Sequence, residues 1–124
     1  MDLILDTHVL LWLTTGDRKL SRKLIDKLAD PDTRCFVSAV TAWEFSDLHF
    51  RGRLPGSVAL PRVQERLGFD ILDFPADLWK EAERLPSVHG DPVDRMLVAH
   101  ARMLDMTLVT ADKNMRRYPV QSLW

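Results

Sequence analysis

The chain alternates short apolar runs of β-forming residues with longer segments of helical periodicity. The runs are LIL at 3–5, RCFVSAV at 34–40, FDILDF at 69–74 and MTLVT at 106–110. Strands that alternate with helices fold as a parallel sheet with helices on both faces. The pattern therefore predicts an α/β fold with about four or five mostly parallel strands, in which VQSLW at 120–124 supplies an edge strand.

The helical segments are marked by apolar spacing and by end signals. Ser21 is a candidate N-cap for a helix that ends before DPD at 30–32, and Pro92 is expected at the first position of a helix in DPVDRMLVAHARML. Helical patterns also cover 8–13, 41–50 and 60–68, while RGRLPG at 51–56 is typical of a loop. A further helix is expected in 75–85, with Pro75 near its start and Pro86 at its end.

Composition limits the classes of protein that fit. The 124 residues are 46% hydrophobic, enough for one domain over 1–124, and the formal charge of -1 provides no global field that attracts nucleic acid. Contact with RNA would need a local basic patch such as KNMRR at 113–117. Cys35 is the single cysteine. No apolar run approaches the roughly 18 residues of a membrane span, and the first residues are too acidic for a secretory signal, so a cytoplasmic protein is expected.

Four acidic residues are predicted to meet at one edge of the sheet. Asp6 and Asp112 each follow an apolar strand, in LILDT and LVTADKN. Glu44 and Asp94 are expected in the first turns of helices whose N-termini face the same edge. Because parallel strands end at one edge, the four side chains should lie close together.

Each of these acids also has a structural explanation when taken alone. Thr41 with Glu44, and Asp91 with Asp94, fit capping boxes that satisfy the free N–H groups of a helix N-terminus. Acids at strand ends are common in turns and caps. Capping cannot neutralise four or five adjacent carboxylates, however, whereas a divalent cation can. An all-oxygen set without paired histidines suits Mg²⁺ or Mn²⁺ better than Zn²⁺.

Four segments in this order, LDTHVLLWL, VSAVTAWEF, DPVDRMLVAHA and LVTADKN, resemble PIN-domain ribonucleases over nearly the whole chain. More narrowly, they resemble the VapC-type toxins of type II toxin–antitoxin pairs. The resemblance implies a single PIN domain and an endoribonuclease that uses one or two Mg²⁺ or Mn²⁺ ions and leaves 5′-phosphate and 3′-hydroxyl ends. The family's metal-binding and catalytic acids fall on Asp6, Glu44, Asp94 and Asp112, of which Glu44 binds directly or through water.

The resemblance extends to neighbouring residues and to partners. Asp91 is expected to act as a cap first and as an outer-sphere metal helper second, Thr7 and Thr110 to flank the metal, and Ser38 is a weaker flanking candidate. Candidates for contact with RNA phosphates, equally consistent with ordinary surface charge, are Arg95, Lys113, Arg116 and Arg117. A VapB-like antitoxin that covers the groove is implied, as is a homodimer, alone or within a complex with the antitoxin.

One segment departs from the family's pattern. Related sequences often continue the WE helix with a lysine-bearing segment, whereas this chain has FSDLHF at 45–50, which places Asp47 and His49 there. The departure leaves the predicted metal site intact but changes a face that could position RNA. Transfer, ribosomal and messenger RNA all remain compatible with the sequence.

Two other functions compete with the nuclease. An aspartate-nucleophile phosphotransferase of the haloacid-dehalogenase type needs a second aspartate two residues after the first, where this chain has His8, and no glycine-rich phosphate loop occurs. A non-catalytic PIN-like module would use the acids only as caps. The histidines are expected at the surface or partly packed, and the tryptophans in a core or an interface rather than in base stacking: His8, His49, His89 and His100; Trp12, Trp43, Trp79 and Trp124.

Overall fold

In the computed structural model, which describes residues 1–88 and 90–124, five strands form one parallel sheet. The strands are β1 (Asp2–Leu5), β2 (Arg34–Ser38), β3 (Asp70–Leu72), β4 (Thr107–Val109) and β5 (Ser122–Leu123), in the order β3-β2-β1-β4-β5. Every pairing is parallel. The predicted α/β class is confirmed, including the edge strand within VQSLW.

Six α-helices connect or follow the strands in these residues: α1 (Thr7–Thr15), α2 (Arg22–Ala29), α3 (Ala39–Phe50), α4 (Leu60–Leu67), α5 (Leu78–Glu83) and α6 (Pro92–Met103). Short 3-10 turns cover Pro55–Ser57 and Met115–Arg117. Ser21 caps α2 by accepting the Leu24 N–H at 3.2 Å, as predicted. Helix α5 begins at Leu78, later than predicted, since the chain from Pro75 first makes a turn in which the Leu78 N–H donates to the Pro75 carbonyl.

Both faces of the central strands are buried under helices, whereas the edge strand β3 is partly exposed. Along β1 the side chains alternate, so that Leu3 and Leu5 join one apolar cluster while Ile4 joins another. The first cluster contains Phe45 of α3 and Val63 of α4, and the second contains residues of α5 and α6. Two covered faces explain why the strands are almost continuously apolar.

The strand order reverses beside β1. The chain passes from β1 to β2 and β3 on one side and returns to β4 and β5 on the other. Ligands of open α/β sheets bind outside the carboxyl ends of the strands at such a reversal. Here the carboxyl ends of β1 and β4 lead into Asp6 and Thr110, and the Asp6 N–H donates to the Val109 carbonyl at 3.1 Å. None of the helices in the described ranges combines the length and the apolar character needed to cross a membrane.

Candidate functional site

Asp6 occupies the crevice between β1 and β4 and is only 5% exposed. As the N-cap of α1, its Oδ1 accepts the Thr7 N–H at 2.7 Å. Its Oδ2 accepts the hydroxyl of Thr110 at 2.8 Å. Two neutral donors from the ends of two neighbouring strands therefore fix the orientation of this carboxylate.

Thr110 links the two strand-end acids. Its hydroxyl, which is fully buried, donates to Asp6 and accepts the N–H of Asp112 at 3.1 Å. The sequence placed Thr7 and Thr110 beside the site, and in the structure each of them hydrogen-bonds to Asp6, Thr7 through its backbone N–H.

Asp112 begins the turn after β4. Its Oδ1 accepts the N–H groups of Asn114 at 2.8 Å and Met115 at 3.2 Å, so one oxygen serves a capping role. Asp112 and Asp6 nevertheless line one cavity of about 240 Å³, together with His8, Trp12 and Ala111. The prediction that the two strand-end acids meet is borne out by this shared cavity.

Helix α3 differs from the expectation for Glu44. The helix begins at Ala39 because the hydroxyl of Ser38 accepts the Val40 N–H at 3.2 Å. The predicted Thr41–Glu44 capping box is therefore wrong, since Thr41 already lies inside the helix and its buried hydroxyl has no hydrogen-bond partner among the described residues. Glu44 falls in the second turn and does not cap the helix, so capping does not account for its charge.

Helix α6 follows the expectation more closely. Pro92 is its first residue, and Asp91 caps it by accepting the N–H of Val93 at 2.9 Å and of Asp94 at 3.4 Å. Capping is the role predicted first for Asp91. Asp94 lies in the first turn of α6, as predicted.

The electrostatics single out Asp6. Burial raises the pKa of Asp6, and the negative charge of Glu44 acts in the same direction. The hydrogen bond from Thr110, the proximity of His8 and the Thr7 N–H each lower the pKa of Asp6 but do not reverse the shift. Asp6 forms no salt bridge with any lysine or arginine in the described residues.

The acids of the site carry the oxygen atoms that suit a hard divalent cation, but their positions among the described residues do not form a complete coordination site. Across 1–88 and 90–124, no three His, Cys, Asp or Glu side chains are close enough to share one ion. The observation that favours a cation is Asp6, a buried carboxylate whose charge is opposed by Glu44 and is paired with no lysine or arginine of the described residues. Carboxylate oxygens are the ligands that Mg²⁺ and Mn²⁺ prefer.

The predicted phosphate contacts divide into two groups. Arg95 donates to the carbonyls of Ala82 at 2.8 Å and Pro86 at 3.0 Å, so its guanidinium fastens α6 to the end of α5. The other three candidates are exposed, follow Asp112 directly and make no salt bridge with a described acid: Lys113, Arg116 and Arg117. Of the four, these three remain available to a phosphate backbone.

The expectations for the histidines and tryptophans are corrected in part. His8 is exposed and His49 half-buried, but His100 is fully buried and its Nδ1 lies 2.8 Å from the hydroxyl of Ser38; His89 lies outside the described residues. Burial lowers the pKa of His100. The sequence offered no signal for this pair, which is separated by 62 positions.

Two tryptophans are not in a core. Trp43 is 61% exposed and Trp79 is 56% exposed, which leaves an interface as the remaining prediction for them. In the departing segment, Asp47 pairs with Arg51 at 2.8 Å one turn along α3, and Phe50 is 88% exposed. That face of α3 is therefore aromatic, with its acid locally paired.

Comparisons with known proteins agree with this architecture. The sequence model of the PIN domain matches residues 3–121. No curated protein matches the chain. Among solved structures, a VapBC complex of Rickettsia felis bound to a DNA fragment from its promoter matches with a TM-score of 0.73 at 18% identity, covering 100% of this chain and 99% of that one.

Two further structures show the same fold. A VapBC complex of nontypeable Haemophilus influenzae has a TM-score of 0.65 at 17% identity, covering 99% of this chain and 97% of that one. A Mycobacterium tuberculosis VapC described as a toxin that cleaves the sarcin–ricin loop has a TM-score of 0.66 at 18% identity, covering 93% of each chain.

Proposed function

The chain belongs to the PIN-domain family, and from that premise we propose that it is a metal-dependent endoribonuclease acting as the toxin of a VapBC-type pair. The observation that carries the proposal is the buried carboxylate of Asp6 at the strand-order reversal, in one cavity with Asp112. The similarity to VapBC complexes and to a toxin that cleaves the sarcin–ricin loop supports it. The proposed unit is one domain over residues 1–124, acting on cytoplasmic RNA.

Four acids are proposed to hold the metal. Asp6, Asp94 and Asp112 would bind Mg²⁺ or Mn²⁺, with Glu44 contributing directly or through water. Such an ion supplies an activated water and stabilises the charge that develops on a phosphodiester under in-line attack. Thr110 keeps Asp6 turned toward the cavity through the 2.8 Å hydrogen bond, and Asp91 serves α6 as a cap rather than as a ligand.

The exposed cations after Asp112 complete the proposed site. Lys113, Arg116 and Arg117 are flexible, unpaired with described acids and adjacent to the cavity in sequence, which suits them to hold flanking phosphates. Arg95 is left out of this role because its guanidinium already serves backbone carbonyls. Cleavage is proposed to leave 5′-phosphate and 3′-hydroxyl ends.

An apolar groove supports the proposed antitoxin partner. It lies between α1, α2 and α4, and its lining includes Leu13, Ile25, Leu28, Leu67 and Phe69, with Arg66 at the rim. A peptide with an apolar face would fill it.

For the proposed homodimer, the exposed Trp43 and Phe50 lie seven positions apart on α3 and so share one face of that helix.

The test is cleavage of total cellular RNA by the purified protein in Mn²⁺ and in EDTA, with the cut ends mapped. We expect discrete cuts in Mn²⁺ that are absent in EDTA and in Asp6→Asn. Asp26→Asn, an exposed acid of α2 paired with Arg22, is the matched control and should cleave as the wild type does.

Two results would count against the proposal. Wild-type cleavage by Asp6→Asn would remove Asp6 from the site. Absence of cleavage, combined with absence of thermal stabilisation by Mn²⁺, would favour the non-catalytic binding module, because a cation that binds the folded state must stabilise it.

A further inference from the structure

The cavity that contains the two strand-end acids has an aromatic wall. Besides Asp6 and Asp112 it is lined by His8 and Trp12, whose ring centroids lie 5.8 Å apart at an interplanar angle of 45°. Trp124 meets Trp12 from another side, at 5.4 Å and 56°. Two rings, His8 and Trp12, thus line the cavity, and of these two His8 is the one that is exposed to solvent.

The geometry determines what this wall can accept. Rings tilted by 45° with centroids 5.8 Å apart leave no parallel gap in which a flat group could insert between His8 and Trp12. Lys19 lies 5.2 Å above the ring of Trp12, and Trp124 packs against the same side chain. A flat ligand would therefore stack on the exposed ring of His8, and the contact with Trp12 would hold that ring in place.

The size of the cavity points to a single flat ring system. Its volume of about 240 Å³ is below the roughly 300–1,000 Å³ of sites for drug-sized ligands. A nucleobase is flat, neutral and compact, and bases of single-stranded RNA are commonly bound by stacking on aromatic side chains, including histidine.

Charge supplies a further reason for a base. The residues that line the cavity include two carboxylates and no lysine or arginine, so phosphates are proposed to be held by the bound cation and by the basic residues after Asp112 rather than by this wall. The contribution of the wall itself would come from a contact that does not depend on charge. Base stacking is such a contact, and it tolerates any base because every base has a π-face.

We propose that His8, supported by Trp12, is a stacking site for one unpaired base of the RNA strand that crosses the acidic cavity. The inference rests on the proposed ribonuclease function and adds a substrate property to it. Such a site selects single-stranded RNA over duplex, in which the bases are already stacked on one another. It imposes little preference among the four bases.

The test is equilibrium binding of a short single-stranded RNA and of the same RNA carrying one abasic residue, moved along the strand from probe to probe. Fluorescence anisotropy gives the two affinities. All proteins carry Glu44→Gln, which is expected to suppress cleavage and lies outside the cavity wall. Base stacking is worth about 1–3 kcal/mol, so we expect one abasic position to weaken binding roughly 5- to 150-fold.

Two substitutions of His8 identify the ring as the cause. His8→Ala should bind the intact and abasic RNAs equally, whereas His8→Phe should retain the preference because it keeps a flat ring. Trp79→Leu is the matched control. Trp79 is an exposed tryptophan of α5, away from the cavity, and it too has a lysine near its ring, Lys80 at 5.5 Å. This control should show the same preference for intact RNA as the protein that carries Glu44→Gln alone.

Three results would overturn the inference. Equal affinity for intact and abasic RNA at every position would show that the cavity takes no base and would favour a peptide as its occupant, while leaving RNA binding in place. Loss of the preference in both His8→Ala and His8→Phe would assign the effect to the imidazole rather than to stacking. Failure of the protein that carries Glu44→Gln alone to bind any of the RNAs would remove the proposed function as well.

Discussion

The buried hydrogen bond between Ser38 and His100 gives a prediction whose size follows from the structure. The Ser38 hydroxyl accepts the Val40 N–H at 3.2 Å and also lies 2.8 Å from His100 Nδ1, and both side chains are fully buried. Ser38→Ala removes the cap, worth about 0.5–2 kcal/mol, and leaves a buried ring nitrogen unsatisfied, which costs about 1–3 kcal/mol. We expect a loss of about 1.5–5 kcal/mol in the free energy of unfolding.

Ser21 is a matched control within the same chain. It caps α2 by accepting an N–H at 3.2 Å, the same length as the cap at Ser38, but among the described residues its hydroxyl has no second side-chain partner. Ser21→Ala should therefore cost only about 0.5–2 kcal/mol. Urea unfolding measured at one pH gives both values, and equal losses in the two variants would refute the contribution assigned to His100.

A double-mutant cycle separates the two contributions further. In a His100→Leu background, Ser38→Ala should lose only the cap, because no ring nitrogen remains to be satisfied. The Ser38–His100 hydrogen bond also joins α3, which carries Glu44, to α6, which carries Asp94. Ser38→Ala is accordingly expected to cleave RNA more slowly even at temperatures where it is fully folded.

The pH dependence of the same pair checks the protonation state. Burial lowers the pKa of His100 below its ordinary value of 6.5, so on acidification the unfolded chain takes up a proton before the folded protein does. The contribution of His100 to stability should therefore fall as the pH drops below about 6.5. His100→Leu should be less sensitive to acid in that range.

Two further substitutions test single residues. Arg95→Lys keeps the charge but loses the forked geometry that serves two carbonyls of the α5 end, so we expect urea unfolding to show a loss of about 1.5–3 kcal/mol with cleavage per folded molecule unchanged; reduced cleavage without a stability loss would return Arg95 to the RNA site. In metal-free buffer near neutral pH, Asp6→Asn should melt at a higher temperature than the wild type, because the raised pKa of Asp6 means that its ionised form opposes folding; a lower melting temperature would contradict this reasoning.

The fold could be predicted because its determinants are local. Most strands are short apolar runs. Ser21 and Asp91 are the N-caps of α2 and α6, and Pro92 occupies the first position of α6. The error at α3 shows where local signals fail. Thr41 and Glu44 had the spacing of a capping box, but Ser38 capped the helix first, three residues earlier. Two competing caps cannot be ranked without knowledge of where the preceding strand ends.

The site was predictable to the extent that sheet topology imposes it. Asp6 and Asp112 follow strands that proved to be neighbours, so their meeting needed only the parallel order. The role of Arg95 could not be foreseen, because its carbonyl partners Ala82 and Pro86 are brought to it by the packing of α5 on α6. The contact between Trp124 and Trp12 likewise could not be foreseen, because it joins the far end of the chain to α1.

The charge of Asp6 is the feature that folding explains least. A helix N-cap at this position requires only an acceptor for the Thr7 N–H, and asparagine or serine serves about as well as aspartate. The second partner, the Thr110 hydroxyl, can accept as readily as it donates, so a neutral asparagine would keep both contacts. What aspartate adds is a buried negative charge that Glu44 repels and no described lysine or arginine neutralises. Asp112 differs, because its partial exposure makes its charge inexpensive. The cost of charge is therefore concentrated at the one carboxylate that sits deepest in the crevice, which is where a bound cation would gain most from it.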